Sequence, residues 1–175
     1  MTKIKVQDIK RSIRNISDFP KKGILFRDIT PLLLNNKKFK DCINDFVRAT
    51  KEKVDYVISI ESRGFIFGSA LSYALGAGFV PIRKEGKLPY KKFQTSYDLE
   101  YGKAVVEIHA DAMKKGARVL IIDDVLATGG TVEAAIKLLK KFDVKIKGIH
   151  FLIELLALKG RERLKGYPVY SLVTY

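Results

Sequence analysis

The stretch 118–139, RVLIIDDVLATGGTVEAAIKLL, constrains the fold of this chain more than any other. Four apolar residues, 119–122, lead directly into two adjacent carboxylates, Asp123 and Asp124, and a short bend follows at 127–131. Beyond the bend, apolar residues recur at helical spacing. A continuous apolar strand followed by a helix is typical of a parallel sheet that is covered on both faces.

The rest of the chain alternates in the same way between strand-like and helix-like segments. An amphipathic helix is predicted within 35–53 and another helix within 61–76, and strands are predicted at 54–60, 78–84, within 103–116, at 147–155 and at 168–175. The charged stretch 158–164 is predicted to be a short helix. This alternation predicts an α/β fold with a central, mostly parallel sheet flanked by helices.

Length and composition predict one globular domain over residues 1–175. The chain is long enough to bury a sizeable core, and 47% of its residues are hydrophobic. No apolar run approaches the roughly 20 residues of a membrane span, and the charged N-terminus does not resemble a secretory signal. Cys42 is the only cysteine, which excludes an internal disulfide and a cysteine-based zinc cluster. We therefore expect a cytoplasmic protein with no membrane partner.

The formal net charge of +14 is the one extreme value in the composition. It is compatible with a polyanionic partner, such as a nucleic acid, a membrane surface or a phosphorylated small molecule. Because most of the lysines are interspersed rather than clustered, solvated faces account for much of the excess.

The bend after the two aspartates has the features of a phosphate-binding turn. Its backbone amides precede a helix, so unpaired N–H groups and the positive end of a helix dipole meet there. It is not a Walker loop, because the GxxxxGK[ST] pattern is absent. The residues of the bend are Ala127, Thr128, Gly129, Gly130 and Thr131.

Two acids beside a phosphate would repel it unless they faced another part of the same ligand. A sugar phosphate satisfies both groups, with its phosphate in the bend and its hydroxyls, or a Mg²⁺ ion bound to them, facing the carboxylates of Asp123 and Asp124. The alternative is a strand-to-helix turn whose aspartates only bond to backbone amides.

The stretch VLIIDDVLATGGT, 119–131, resembles the signature with which type I phosphoribosyltransferases bind phosphoribosyl pyrophosphate (PRPP). The resemblance to adenine-specific members of the family covers nearly the whole chain, through FPKKGILFRDITPLL, ESRGFIFG, PIRKEGKLP, SYDLEYGKAVVEIHADA and LKGRERL. Two departures are mild: Glu61 stands where some members have aspartate, and YKKFQT is unusually basic. The resemblance implies the type I phosphoribosyltransferase fold with a small N-terminal hood, formed by about residues 1–34.

The resemblance also implies a reaction in purine salvage, in which adenine and PRPP give AMP and pyrophosphate with Mg²⁺ as cofactor. Asp123 and Asp124 would face the ribose, favouring its developing positive charge directly or through Mg²⁺-bound water, and the bend would bind the 5′-phosphate. Arg63 would stabilise the leaving pyrophosphate. PRPP would hold most of the Mg²⁺, so no direct metal ligand is expected from the protein.

Further roles are carried over from the same resemblance. Glu100 would lie on a mobile loop and accept or relay the proton that adenine loses, while Tyr101 would help to close that loop against water. Backbone groups around Leu25 and Arg27 would recognise the N1/N6 edge of adenine.

The faces of the base are assigned in the same way. Phe26 would cover one face of the adenine ring, and Leu155 would pack against the other. On residue type alone, a phenylalanine and a leucine in apolar runs are core residues.

The basic stretch 81–92, PIRKEGKLPYKK, is predicted to be a loop that leaves the sheet near the pyrophosphate end of the site. Relatives dimerise so that the equivalents of Arg83 and Lys87 reach the neighbour's pyrophosphate. We therefore expect a homodimer with C2 symmetry.

Two other functions stay open from the sequence. A phosphoribosyltransferase for another base is the first, because the bend specifies PRPP better than adenine. A PRPP-sensing regulator that binds nucleic acid is the second, favoured by the net charge. The chain has no separate helix-turn-helix domain, and Glu100 would have no use in a regulator, so no specific nucleic-acid partner is expected.

Overall fold

A computed structural model describes residues 6–98 and 103–175 of the chain. The helices are α1 (Val6–Lys10), α2 (Thr30–Leu33), α3 (Asn36–Ala49), α4 (Gly64–Leu75) and α5 (Gly130–Leu139). The strands are β1 (Arg14–Ser17), β2 (Leu25–Asp28), β3 (Tyr56–Ile60), β4 (Gly78–Lys84), β5 (Lys92–Asp98), β6 (Lys103–His109), β7 (Arg118–Leu126), β8 (Lys145–Glu154) and β9 (Val169–Thr174). Short 3-10 helices are formed by Lys140–Phe142, Leu156–Leu158 and Gly160–Leu164.

The central sheet has the strand order β5-β6-β4-β3-β7-β8-β9. Strands β4, β3, β7, β8 and β9 are parallel to one another, and β5 and β6 extend the sheet with antiparallel pairing. The prediction of a mostly parallel sheet is therefore confirmed. Strand β7, which carries the two aspartates, lies inside the sheet between β3 and β8.

Both faces of the sheet are covered, as the apolar run in β7 indicated. Val119 and Ile121 pack into the core beneath α5, whereas Leu120 and Ile122 pack into the core formed with α3 and α4. Because successive side chains of a strand point to opposite faces, one continuous apolar strand supplies both cores.

The N-terminal part forms a separate two-stranded antiparallel sheet, in which Ile16 of β1 is opposite Phe26 of β2. This part is anchored to the domain because Ile9 and Leu32 are buried in the core shared with α3 and α4. Its description as a hood over the site stays a prediction.

The predicted helices within 35–53 and 61–76 correspond to α3 and α4, and the predicted strands are also present. The predicted helix at 158–164 is a 3-10 helix, Gly160–Leu164, rather than an α-helix. Among the described residues, no helix combines the length and the apolar character needed to cross a membrane.

The prediction that residues 81–92 form a loop was wrong at both ends. Arg83 and Lys84 belong to β4, since they pair with Glu107 and Val106 of β6. Lys92 begins β5, so the connecting segment covers only residues 85–91. The antiparallel ladder between β5 and β6 begins at Lys92, opposite His109.

Candidate active site

The bend between β7 and α5 has the geometry of an anion-binding turn. Gly129 is the N-cap of α5 with a φ of 84°, a left-handed conformation that favours glycine. No described side chain caps this helix, so the amides at its amino-terminal end remain available to an anion. The alternative, in which the aspartates only bond to backbone amides, fits Asp123, which accepts a hydrogen bond from the Asp124 amide (2.8 Å), but not Asp124, whose Oδ2 lies 2.7 Å from Nε of Arg63.

The two aspartates lie at the carboxyl end of β7 in different surroundings. Asp124 is buried, with 6% of its surface exposed, while Asp123 is half-buried. Gly64, the first residue of α4, is so close to them that a β carbon there would lie 2.6 Å from Oδ1 of Asp123. A glycine at this position therefore allows α4 to begin directly beside the carboxylate.

Desolvation raises the pKa of both carboxyl groups. For Asp123 the desolvation acts together with the negative charge of Asp124, and the pKa lies well above its usual value. For Asp124 the desolvation also raises the pKa, while the positive charge of Arg63 opposes the shift. A cation that approaches such a pair favours the charged carboxylates, so this strand end attracts positive charge.

Arg63 connects the aspartates to the N-terminal sheet. It directly precedes α4, and its Nε lies 2.7 Å from Oδ2 of Asp124. The guanidinium also lies 4.9 Å from the centroid of the Phe26 ring, within cation–π range. Three segments that are distant in sequence, β2, the start of α4 and the end of β7, therefore meet at this guanidinium.

The predicted base-recognition segment is strand β2, in which neighbouring side chains point in different directions. Phe26 faces Arg63 and makes an edge-to-face contact with Phe19, with 5.1 Å between ring centroids. Arg27 instead stacks over the ring of Tyr175, with 3.7 Å from the guanidinium carbon to the centroid. Leu25 is 45% exposed.

Leu155 is held at the end of β7, because its amide donates a hydrogen bond to the Leu126 carbonyl (2.9 Å). Leu155 is half-buried, and its partner Leu126 is the residue immediately before the bend. The structure thus places Leu155 beside the bend at 127–131, and its contact with a base stays a prediction.

Arg83 bonds within its own chain. Its Nε and Nη2 donate to the carboxylate of Glu61 at 3.2 and 3.3 Å, and Nη1 donates to the backbone carbonyl of Lys87 at 3.3 Å. The Lys84 amide also donates to Glu61, at 3.0 Å. Glu61 is two residues before Arg63 in the chain. Its carboxylate therefore links the end of β4, with Arg83 and Lys84, to the segment that carries Arg63.

Glu61 was not predicted to be a site residue, although its position carried a signal. It follows the buried strand β3 directly, as Asp124 follows the buried part of β7, and β3 and β7 are neighbours. Two other predicted residues, Glu100 and Tyr101, lie outside the described residues.

Comparisons with known proteins agree with this geometry. The family model described as "Phosphoribosyl transferase domain" matches residues 31–173. An adenine phosphoribosyltransferase of Thermotoga sp. (strain RQ2) is 54% identical over 96% of this chain and 99% of its own length.

Solved structures of adenine phosphoribosyltransferases share the fold of this chain over nearly its whole length. The crystal structure of adenine phosphoribosyltransferase from Thermoanaerobacter pseudethanolicus has a TM-score of 0.94 and 47% identity, covering 97% of this chain and 99% of that one. The Saccharomyces cerevisiae enzyme, complexed with an imino-altritol bisphosphate and adenine, has a TM-score of 0.92 and 40% identity over 95% and 97% of the two chains. With its uncapped bend, paired aspartates and Arg63, this chain belongs to the phosphoribosyltransferase family, and within it to the adenine phosphoribosyltransferases.

Proposed function

We propose that the protein transfers the 5-phosphoribosyl group of PRPP to adenine, forming AMP and pyrophosphate. The observation that carries the proposal is the convergence of Phe26, Arg63 and Asp124 beside a bend whose amides no described side chain caps. Each of these features suits one part of the two substrates. The ring of Phe26 suits the base, and the cation of Arg63 suits the pyrophosphate. The carboxylate of Asp124 suits the ribose, and the bend suits the 5′-phosphate.

In the reaction, N9 of adenine forms a bond to C1′ of the ribose while the bond from C1′ to the pyrophosphate oxygen breaks. Both electrons of that bond leave with pyrophosphate, so the ribose becomes positively charged in the transition state. Asp123 and Asp124 stabilise that charge from a desolvated strand end, where electrostatic interactions are stronger than in water. Arg63 is well placed to turn from Asp124 to the departing pyrophosphate.

The proton that N9 loses is assigned to Glu100, on the basis of the family resemblance. Tyr101 belongs to the same segment and would help to exclude water. Adenine itself would lie against Phe26, with Leu155 on its other face and backbone groups of Leu25 and Arg27 at its N1/N6 edge.

The residues present also fit a Mg²⁺ ion that is bound mainly by substrate. Mg²⁺ prefers oxygen ligands and keeps several waters when it binds to substrate phosphates. Oδ2 of Asp124 is buried and is paired with Nε of Arg63 at 2.7 Å without hydrogen-bond geometry, so a hydrated cation would take over this oxygen once Arg63 turns to the pyrophosphate. Within 6–98 and 103–175, no group of three or more acidic, histidine or cysteine residues is close enough to hold a metal ion alone. Held by PRPP and through water by Asp123 or Asp124, Mg²⁺ would offset the charge of the leaving pyrophosphate.

The assembly that we propose is a C2 homodimer in which Arg83 and Lys87 reach the partner's pyrophosphate. Its support is the outer face of α4, which is apolar but not covered: Ile66 is 39% exposed and Tyr73 is 91% exposed. An exposed apolar helix face is typical of a protein interface. Arg83 lies at the end of β4, the strand next to β3 in the sheet, and the exposed Lys87 lies in the connecting segment 85–91 that follows.

We place this activity in the cytoplasm. The reducing cytoplasm keeps cysteines as free thiols, and the one cysteine of the sequence, Cys42, is a buried free thiol.

The activity is tested by incubating the protein with PRPP and adenine and measuring AMP and pyrophosphate together. The expected result is equal amounts of both products, abolished by chelation of Mg²⁺. Pyrophosphate release without AMP would indicate hydrolysis of PRPP and would contradict the proposal.

A further inference from the structure

The segment 159–164, KGRERL, is part of the family resemblance but has no role in the site described above. We call it the brace segment. It begins with Lys159, whose φ is 52°, and continues as the 3-10 helix Gly160–Leu164. Its last residue, Leu164, is buried in the core beneath α5. The segment is therefore fixed to the body of the domain at that end.

Gly160 touches the backbone of the phosphate-binding bend. A β carbon on Gly160 would lie 2.1 Å from the carbonyl oxygen of Ala127 and 3.0 Å from the amide nitrogen of Gly129. In the other direction, a β carbon on Gly129 would lie 2.6 Å from the carbonyl oxygen of Gly160. Two backbone segments thus pack directly against each other, and a side chain on either glycine would push the bend away.

Arg161 anchors the brace segment on the side of the sheet. Its Nε donates to Oε1 of Glu154 at 2.8 Å, its Nη2 bonds to the other carboxylate oxygen, and Nη1 donates to the Val169 carbonyl at 3.0 Å. Glu154 is buried (3% exposed) at the end of β8. A two-pronged ion pair with a buried carboxylate fixes the position of Arg161 and, with it, that of Gly160.

Arg163 anchors the brace segment on the side of α5. Its Nη1 donates to Oε2 of Glu133 at 2.9 Å, and Lys137 lies 3.3 Å from the other oxygen of the same carboxylate. Glu133 is in the first turn of α5, close to the amides of the bend. An unpaired carboxylate there would repel a phosphate dianion at the helix N-terminus, and the two cations offset its charge.

We propose that the brace segment positions the bend for the 5′-phosphate. Gly160 sets the path of the backbone at 127–129, and Arg163 offsets the charge of Glu133. This inference rests on the proposed binding of PRPP and assigns positioning roles to residues that do not touch the reacting atoms.

The first test compares two ligands that differ in the phosphate-bearing ribose. AMP carries a 5′-phosphate, whereas adenine does not. Calorimetric titration with each ligand therefore distinguishes a displaced bend, which weakens AMP binding alone, from general damage to the site, which weakens the binding of both. Gly160→Ala should weaken AMP binding on the order of 10- to 100-fold, as expected when binding groups are displaced, and change adenine binding less than about threefold. Gly148→Ala is the matched control: its β carbon would meet the flexible Cδ1 of Leu120 at 3.1 Å, toward the opposite end of β7. Unchanged AMP affinity in folded Gly160→Ala would overturn the role of Gly160.

The second test avoids the backbone and remains informative if Gly160→Ala fails to fold. Arg163→Ala should weaken AMP binding several-fold, and Glu133→Gln added to it should restore the affinity, because the unpaired charge is gone. If the double variant binds AMP no better than Arg163→Ala, the electrostatic role is wrong. Failure of the wild-type protein to bind AMP at all would instead contradict the proposed function.

Discussion

Arg63 and Asp124 form an ion pair, with 2.7 Å between Nε and Oδ2. The residue assigned to the leaving pyrophosphate is thus bonded to a residue assigned to the ribose. Each holds the other in position, and in the proposed mechanism each turns to its own substrate group when PRPP binds.

Removal of the positive charge at Arg63 should shift the pH dependence of the reaction. Desolvation already raises the pKa of Asp124, and Arg63 opposes that shift, so Arg63→Gln should raise the pKa further. The acidic limb of the kcat/KM profile for PRPP should then move to higher pH, since the carboxylate stays protonated over a wider range. Arg63→Lys keeps the charge and serves as the control. An acidic limb at the same pH in all three proteins would show that Arg63 does not act on Asp124.

Asp124→Asn and Glu100→Ala should affect different kinetic constants. Asp124→Asn removes the charge that faces the ribose, so it should weaken PRPP binding and lower turnover together. Glu100→Ala should lower kcat on the order of 10²-fold with little change in PRPP affinity, if it handles the proton of adenine. Steady-state kinetics combined with PRPP titrations distinguish the two patterns. An unchanged kcat in Glu100→Ala would remove Glu100 from the mechanism.

The elements of the site that could be predicted from the sequence are local. The bend after β7 was predicted because a buried strand, two acids and paired glycines are consecutive. The contact between Arg63 and Asp124 could not be predicted in this way, since it depends on the parallel pairing of β3 with β7, in which Ser59 is opposite Ile122. That register brings the residues following the two strands together.

The strands that were missed depend on partners elsewhere in the chain. Strand β2 has no buried residue, and it is ordered by pairing with β1 rather than by its own pattern. Strand β5 contains exposed polar residues and is fixed by its ladder with β6. β2 lacks the apolar periodicity that indicates a strand. β5 does alternate, with Phe93 and Tyr97 packed against the core and Gln94 and Ser96 exposed, but the polar Thr95 between the two aromatic residues weakens the pattern.

A mixed dimer tests whether each site is completed by the partner. One subunit carries Glu100→Ala, and the other carries Arg83→Ala with Lys87→Ala. In a mixed dimer, one site has Glu100 from its own chain and the intact basic residues from the other, so activity should rise above that of either parent. The controls are each parent mixed with itself and a direct measurement of subunit exchange. If mixed dimers form without regained activity, Arg83 and Lys87 serve their own subunit, where Arg83 already bonds to Glu61.

His150 should make the stability of the fold depend on pH. The imidazole stacks on Phe46 in the core, and burial lowers its pKa to about 4 from 6.5, with Asp45 opposing the shift. Between these values the unfolded chain binds more protons than the folded chain, so stability falls as the pH falls. From pH 7 to pH 5, this residue should reduce the free energy of unfolding by about 2 kcal/mol.

The variant His150→Phe keeps an aromatic ring in the core and removes the imidazole that binds a proton. Urea unfolding of both proteins at pH 7 and pH 5 should show the smaller pH dependence in the variant. The same loss of stability in both proteins would mean that other groups cause it.

Selectivity for the base tests most directly whether the protein makes AMP. Adenine presents a donor at N6 and an acceptor at N1, whereas hypoxanthine and guanine present an acceptor at O6 and a donor at N1. Backbone groups of Leu25 and Arg27 that fit one pattern leave buried polar groups unpaired with the other, which corresponds to roughly 10⁴-fold discrimination. The measurement is kcat/KM for each of the three bases at saturating PRPP and Mg²⁺. The predicted result is efficient formation of AMP with almost no IMP or GMP, and comparable turnover of hypoxanthine would contradict the assignment.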